Sequence, residues 1–165
     1  MAYLSPVQLR DPFCSYCGRP PGGGDRGGSR VCARCNLGMV LRAPPGGAPK
    51  ARDPFLIVDH DLIVRAISQG AEIALGVREP ECVGASLERF LQPANGSVDP
   101  LDLALLVQLA VAASPIPDKL ELWAPDHSRH GFCARVTTCG PPPAALLVLA
   151  PLSTPAHHEK ALARA

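Results

Sequence analysis

Apolar residues arrive in short dense runs after residue 54 and are thin before it. Phe55-Leu-Ile-Val58 is closed by the turn-prone polar triplet Asp59-His60-Asp61 and followed by a second apolar run over 62–67. Two such runs across a polar turn predict a β-hairpin. Ser68 then stands where an N-cap is needed, a short helix is expected over 71–75, and Gly76 supplies the residue that ends it. Glu79-Pro80-Glu81 begins another short turn of helix. Asp99 as N-cap and Pro100 at the first helical position open the strongest helix, over 101–113, which is apolar on almost every face and stops before Pro115. Such a helix is expected to be buried. Runs at 119–123, 131–138 and 145–150, separated by Pro, Gly and Asp, predict three strands.

Two strands, a helical excursion and three returning strands predict the α+β class, with a five-stranded antiparallel sheet covered by helices on one face. Within this frame stand Asp59 to Asp61 at the turn, Ala71-Glu72, Leu75-Gly76, Pro80-Glu81 and Gly84-Ala85-Ser86-Leu87. In this order they resemble the N-terminal half of a PAS domain, and the resemblance covers about 54–152. Where that family commonly opens its first helix with Asn, this chain reads Ser68-Gln69. The resemblance implies a sensory or regulatory domain that acts through a bound ligand, a dimer contact or a docking surface.

The segment before residue 43 has few large aliphatic residues but four of the seven cysteines, arranged as Cys14-Ser-Tyr-Cys17 and Cys32-Ala-Arg-Cys35. Each CxxC turns the backbone so that two sulfurs converge, and two such knuckles supply the four soft ligands of a closed tetrahedral Zn²⁺ site. The intervening glycines, Gly22 to Gly24 and Gly27-Gly28, provide a pliable connection. A segment of this size is near the ~40-residue limit below which an apolar core alone does not fold, so the expected zinc is structural. The module resembles zinc-ribbon or treble-clef fingers; in the latter, residues 36–42 would form two turns of helix. The expected division is a Cys₄ finger at 1–42, a Pro/Gly linker at 43–53, a PAS-like domain at 54–152 and a flexible tail at 153–165.

Charge separates the same pieces. Residues 1–50 carry seven Lys/Arg against two Asp, whereas the remainder carries nine against thirteen acids. Arg19, Arg26, Arg30, Arg34 and Arg42 are therefore candidate phosphate contacts, and DNA is one partner class to test. Arg outnumbers Lys thirteen to three alongside much Ala, Pro and Gly, a usage expected of a GC-rich bacterial gene.

Other chemistry is narrowed by what the motifs lack. Light-oxygen-voltage sensors carry a reactive Cys immediately before an Arg-Phe-Leu-Gln run, but Glu88 precedes Arg89-Phe-Leu-Gln92 here, which argues against a flavin–Cys adduct. The long helix contains no His, which argues against haem. The PAS ligand stays unassigned. Cys133 and Cys139 are an even number of residues apart and can share one strand face. No Ser-His-Asp order, P-loop or dinucleotide glycine motif appears, so no enzymatic activity is expected.

Alternation at Lys119-Leu-Glu-Leu-Trp123 turns Leu120 and Leu122 inward and leaves Trp123 on the opposite face as a candidate interface anchor. No run reaches the ~18 apolar residues of a membrane span, and the first ten residues lack a signal-peptide core. The expectation is a cytoplasmic regulatory adaptor that binds a protein partner or a second copy of itself. The alternative is a one-component DNA-binding regulator that uses the finger.

Overall fold

The structure, a computed structural model, describes residues 9–22, 30–93, 100–113, 120–125 and 131–152. Asp99, Lys119, Arg26 and the expected tail at 153–165 lie outside them. The chain runs as β1 (Asp11–Cys14), β2 (Val40–Ala43), β3 (Phe55–Val58), β4 (Val64–Ile67), α1 (Gln69–Leu75), α2 (Glu79–Cys82), a 3₁₀ turn (Leu87–Arg89), β5 (Gln92–Pro93), α3 (Pro100–Val111), β6 (Leu120–Trp123), β7 (Gly131–Cys139) and β8 (Ala144–Pro151). β1 and β2 form an antiparallel ribbon, while the other strands form one antiparallel sheet in the order β4-β3-β8-β7-β6-β5. This is the α+β arrangement expected, with the two-residue β5 added at one edge.

Local chemistry explains the first half of the sheet. Asp59 builds the hairpin turn itself: its Oδ1 accepts from the Asp61 and Ile63 amides at 3.0 Å each, and its Oδ2 accepts from Arg65 Nε at 2.7 Å. Ser68 caps α1 through the Ala71 amide at 3.1 Å and also accepts from the Phe55 amide at 2.9 Å, so one buried hydroxyl ties the helix start to β3. Gly76, with φ of 65°, closes the helix in the left-handed conformation.

The helices cover one face of the sheet. There Leu56 and Val58 of β3, Phe132, Ala134 and Val136 of β7, and Ala145, Leu147 and Leu149 of β8 meet Leu103, Val107 and Ala110 of α3. The expectation that α3 is buried on nearly every side is corrected: Leu103 and Val107 are fully buried, whereas Leu105 is 53% exposed. A helix lying on a sheet buries one stripe at positions i, i+4 and i+7, whatever its composition.

The opposite face is covered by the ribbon. Phe13, Leu41 and Ala43 pack with Phe55, Ile57, Cys139, Ala144 and Leu146 in a second core. This explains why all four residues of Phe55–Val58 are buried: alternate side chains enter alternate cores. Main-chain bonds reinforce the contact, with the Arg42 amide donating to the Gly140 carbonyl at 2.7 Å and the Gly140 amide returning to Arg42 at 3.0 Å.

The pliable linker expected at 43–53 is therefore corrected to a series of closed turns. The Gly47 amide donates to the Pro44 carbonyl at 2.8 Å, the Lys50 amide to Asp53 Oδ2 at 2.8 Å, and the Gly46 amide to Asp11 Oδ2 at 2.7 Å. Arg135 reaches across from β7 to the Gly47 carbonyl at 3.1 Å. Proline and glycine here set turns over a packed surface, a use that composition alone does not separate from a loose tether.

Candidate metal centre

β1 delivers Cys14 to the end of the ribbon, and a left-handed residue closes each knuckle. In the first, the Gly18 amide donates to the Cys14 carbonyl at 3.0 Å, with Gly18 at φ of 71°. In the second, the Asn36 amide donates to the Cys32 carbonyl at 2.9 Å, with Asn36 at φ of 57°. Gly and Asn are the residues that tolerate this region, and each directly follows the second cysteine of its pair. The knuckles are thus two copies of one backbone device.

The geometry unites all four sequence-predicted ligands. The sulfurs of Cys14, Cys17, Cys32 and Cys35 lie within 4.8 Å of one another. Cys14 Sγ and Cys35 Sγ are 3.5 Å apart, close to the edge of about 3.8 Å that a tetrahedron with 2.3 Å metal–sulfur arms requires. Backbone amides are aimed at the sulfurs: those of Tyr16 and Cys17 donate to Cys14 Sγ at 3.4 Å each. Such bonds orient and stabilise thiolates.

These surroundings act differently on each thiol in the metal-free protein. Burial pushes the Cys14 and Cys17 thiols up, outweighing the amide bonds that favour their charged forms. Burial also acts upward on Cys35, but the Gly38 and Leu37 amides and the neighbouring Cys14 and Cys32 thiols bring it down to about 7. A site with this donor set fits a soft or borderline divalent ion, and four thiolates complete its shell without leaving a position for water.

Gly38 is a structural requirement that the cysteine spacing did not reveal. A Cβ there would collide with Cys14 Sγ and lie 2.7 Å from the Tyr16 amide nitrogen. The helix expected over 36–42 in a treble-clef finger is corrected as well. Residues 36–38 form a bend and Val40–Ala43 is a strand, because Val40 and Leu41 pair with Cys14 and Phe13. The two knuckles therefore stand on a two-stranded ribbon, β1 paired with β2.

The candidate phosphate contacts among the described residues stand in different surroundings. Arg19 and Arg34 line a cleft with Arg52, which the sequence reading had not selected. Arg30 is exposed just before the second knuckle. Arg42 lies farther along β2, where its Nη1 donates to the Arg10 carbonyl at 3.4 Å. Arg26 is outside the described residues.

Trp123 lies on the sheet face opposite Leu120 and Leu122, as alternation predicts, with 37% of its surface exposed. Its ring crosses Gly131, where a Cβ would come within 2.9 Å of two ring carbons. Cys82 is fully buried and its thiol is pushed up to about 11 by that burial, which suits packing. Cys133 and Cys139 share a face of β7 but are six residues apart, about 20 Å, too far to bridge.

Comparison with known proteins finds structural neighbours. No family model and no curated protein matches the chain. The PAS domain of an HTR-like protein from Haloarcula marismortui is similar with a TM-score of 0.44 and 16% identity, covering 61% of this chain and 81% of that one. No helix among the described residues is long and apolar enough to cross a membrane.

Proposed function

We propose that this chain is a cytoplasmic, zinc-stabilised regulatory adaptor that transmits a signal by binding protein, either a second copy of itself or a different partner. The observation that carries the reading is the shared core of the ribbon and sheet, centred on Phe13, Leu41, Phe55, Ile57 and Leu146. Metal binding thereby fixes one composite surface, and a closed Cys₄ set serves scaffolding rather than catalysis. The PAS resemblance supports a sensory role, and no ligand is assigned to it.

Trp123 is the proposed anchor of the interface. Half-exposed aromatics on a sheet face supply large contact area at small entropic cost and are enriched at binding hot spots. Sedimentation of the zinc-loaded chain over a concentration series tests the homodimer form: Trp123→Ala should weaken self-association by at least ~2 kcal/mol with a nearly unchanged thermal midpoint. Unchanged association with a large fall in that midpoint would make Trp123 a packing residue.

One observation favours DNA binding as a second reading. Arg19 and Arg34, both chosen as phosphate contacts, face the same cleft. A mobility-shift series in salt tests it, since each phosphate contact should contribute about −0.9 to the slope of log K against log salt.

A further inference from the structure

The cleft beside the cysteine knuckles combines arginine side chains with apolar surface. It has a volume of about 720 Å³ and is lined by Arg19, Arg34 and Arg52, with Pro54, Ile73 and Ala74 as its apolar part. Ile73 is 79% exposed, the largest exposure among the large hydrophobic side chains described. An isoleucine this exposed on a short helix gains little in the free protein, whereas covering it in a complex removes apolar area from water.

The charge in the cleft is available to a ligand. Among the described residues, none of the three guanidiniums is in an ion pair; Arg34 Nε donates only to the Pro20 carbonyl, at 3.0 Å. The acid in the lining, Asp53, accepts from the Lys50 amide at 2.8 Å. Cys17 and Cys35 also line the cleft, so a Zn(Cys)₄ centre would place two negative charges at its wall, but the four sulfurs are buried or half-buried and Cys14 Sγ accepts from the Tyr16 and Cys17 amides. The three arginines are exposed, so a ligand arriving from solvent meets them first.

The walls are also held in place. The Gln69 amide donates to the Tyr16 carbonyl at 3.1 Å and Tyr16 Oη donates to Glu72 Oε2 at 3.3 Å, fastening α1 to the first knuckle. At Gly70 a Cβ would lie 2.6 Å from the Arg52 carbonyl oxygen, so the helix approaches the 50–53 turn at backbone distance. A cleft fixed before binding loses little entropy on occupation.

We propose that this cleft docks an acidic peptide segment of a partner protein, its carboxylates paired with Arg19, Arg34 and Arg52 and an aliphatic side chain laid against Ile73. The proposal rests on the protein-binding reading above and names the chemistry of the partner. Guanidiniums pair well with carboxylates, and the apolar portion selects a side chain rather than a sugar-phosphate backbone. The lining offers a single aromatic ring, Tyr16, too little for the stacking platform that single-stranded nucleic acid uses.

The test is fluorescence anisotropy on the zinc-loaded full chain with a labelled octapeptide of alternating Glu and Leu. Alternating Glu-Ser and Lys-Leu peptides, a single-stranded oligonucleotide and inorganic phosphate complete the set. The Glu-Leu peptide should bind roughly tenfold tighter than either control peptide and weaken with salt. Arg34→Ala combined with Arg52→Ala should weaken it about tenfold and flatten the salt dependence, while Ile73→Ser should weaken it about fivefold with the salt dependence kept. These side chains are exposed, so metal content and thermal midpoint should stay unchanged and report intact folding.

Glu-Leu binding that survives all three substitutions but falls with Trp123→Ala would overturn the cleft and keep the protein-binding reading. A preference for the oligonucleotide, abolished by the arginine changes, would overturn both. Phosphate competing as well as the peptide, with Ile73→Ser silent, would reduce the site to an anion site and overturn the proposed occupant.

Discussion

The Phe13 ring stands edge-on to the Phe55 ring, with centroids 5.9 Å apart and planes inclined at 83°. One ring belongs to the ribbon that carries the cysteines and the other to the strand at the centre of both cores. Both are fully buried, and the pair joins the candidate metal centre to the sheet.

Removal of the metal should therefore disturb more than residues 11–43. Losing the ribbon would expose Phe55, Ile57 and Leu146, each worth ~1.5–3 kcal/mol of burial. Calorimetry with and without a chelator should show one transition that shifts down as a whole. Phe13→Ala should cost ~3–5 kcal/mol in the metal-bound protein. Two separate transitions, with the upper one indifferent to chelator, would refute the shared core.

Gly38→Ala should impair the metal centre without touching a ligand. The added methyl group meets the Cys14 sulfur and the Tyr16 backbone, so the knuckle must open or the ribbon must shift. Overpacking of this kind costs ~1–3 kcal/mol, and elemental analysis should find less than one metal per chain. Cys32→Ser should abolish metal binding, whereas Cys133→Ser, on the sheet, should retain it.

Metal affinity should fall as pH falls. Cys14 and Cys17 bind their protons more tightly than an ordinary thiol in the metal-free protein, so metal must displace those protons at neutral pH. Cys35, at about 7, is mostly thiolate above that pH and becomes protonated below it. A competition titration against a chromophoric chelator should therefore show log K falling with decreasing pH and steepening by about one further proton below ~pH 7. Affinity independent of pH between 6 and 8, roughly, would contradict the thiolate ligand set.

Within α3, position should matter more than residue type. Leu103→Ala removes a fully buried side chain and should cost ~2–5 kcal/mol, measured by denaturant midpoint at constant m. Leu105→Ala, at a half-exposed site, should change stability by less than ~1 kcal/mol. Equal effects would mean that the helix is rotated from the orientation described.

The sequence by itself determined the parts whose cause is local. Two CxxC pairs named the candidate metal ligands, whose four sulfurs converge in the structure, because bond lengths and coordination number leave few other uses for such thiols. Ser68, Gly76 and the Asp59 turn set their own elements because a cap or turn acts through amides only a few residues away. The helix-facing side of the sheet was legible in the same way, from alternation at Leu120 and Leu122.

Tertiary structure decided what covers the other face. Phe55-Leu-Ile-Val58 announced burial on both sides, but a local pattern carries no address for the covering element. That element proved to be the ribbon, more than ten residues earlier in the chain, with the intervening prolines and glycines closing turns against Asp11 and Arg135. The same long-range placement brought Arg52 and Ile73 to Arg19 and Arg34, rotated Leu105 outward, and made Gly38 indispensable. Each depends on which surfaces meet in space, a quantity set by the sum of many weak contacts and recorded at no single position of the chain.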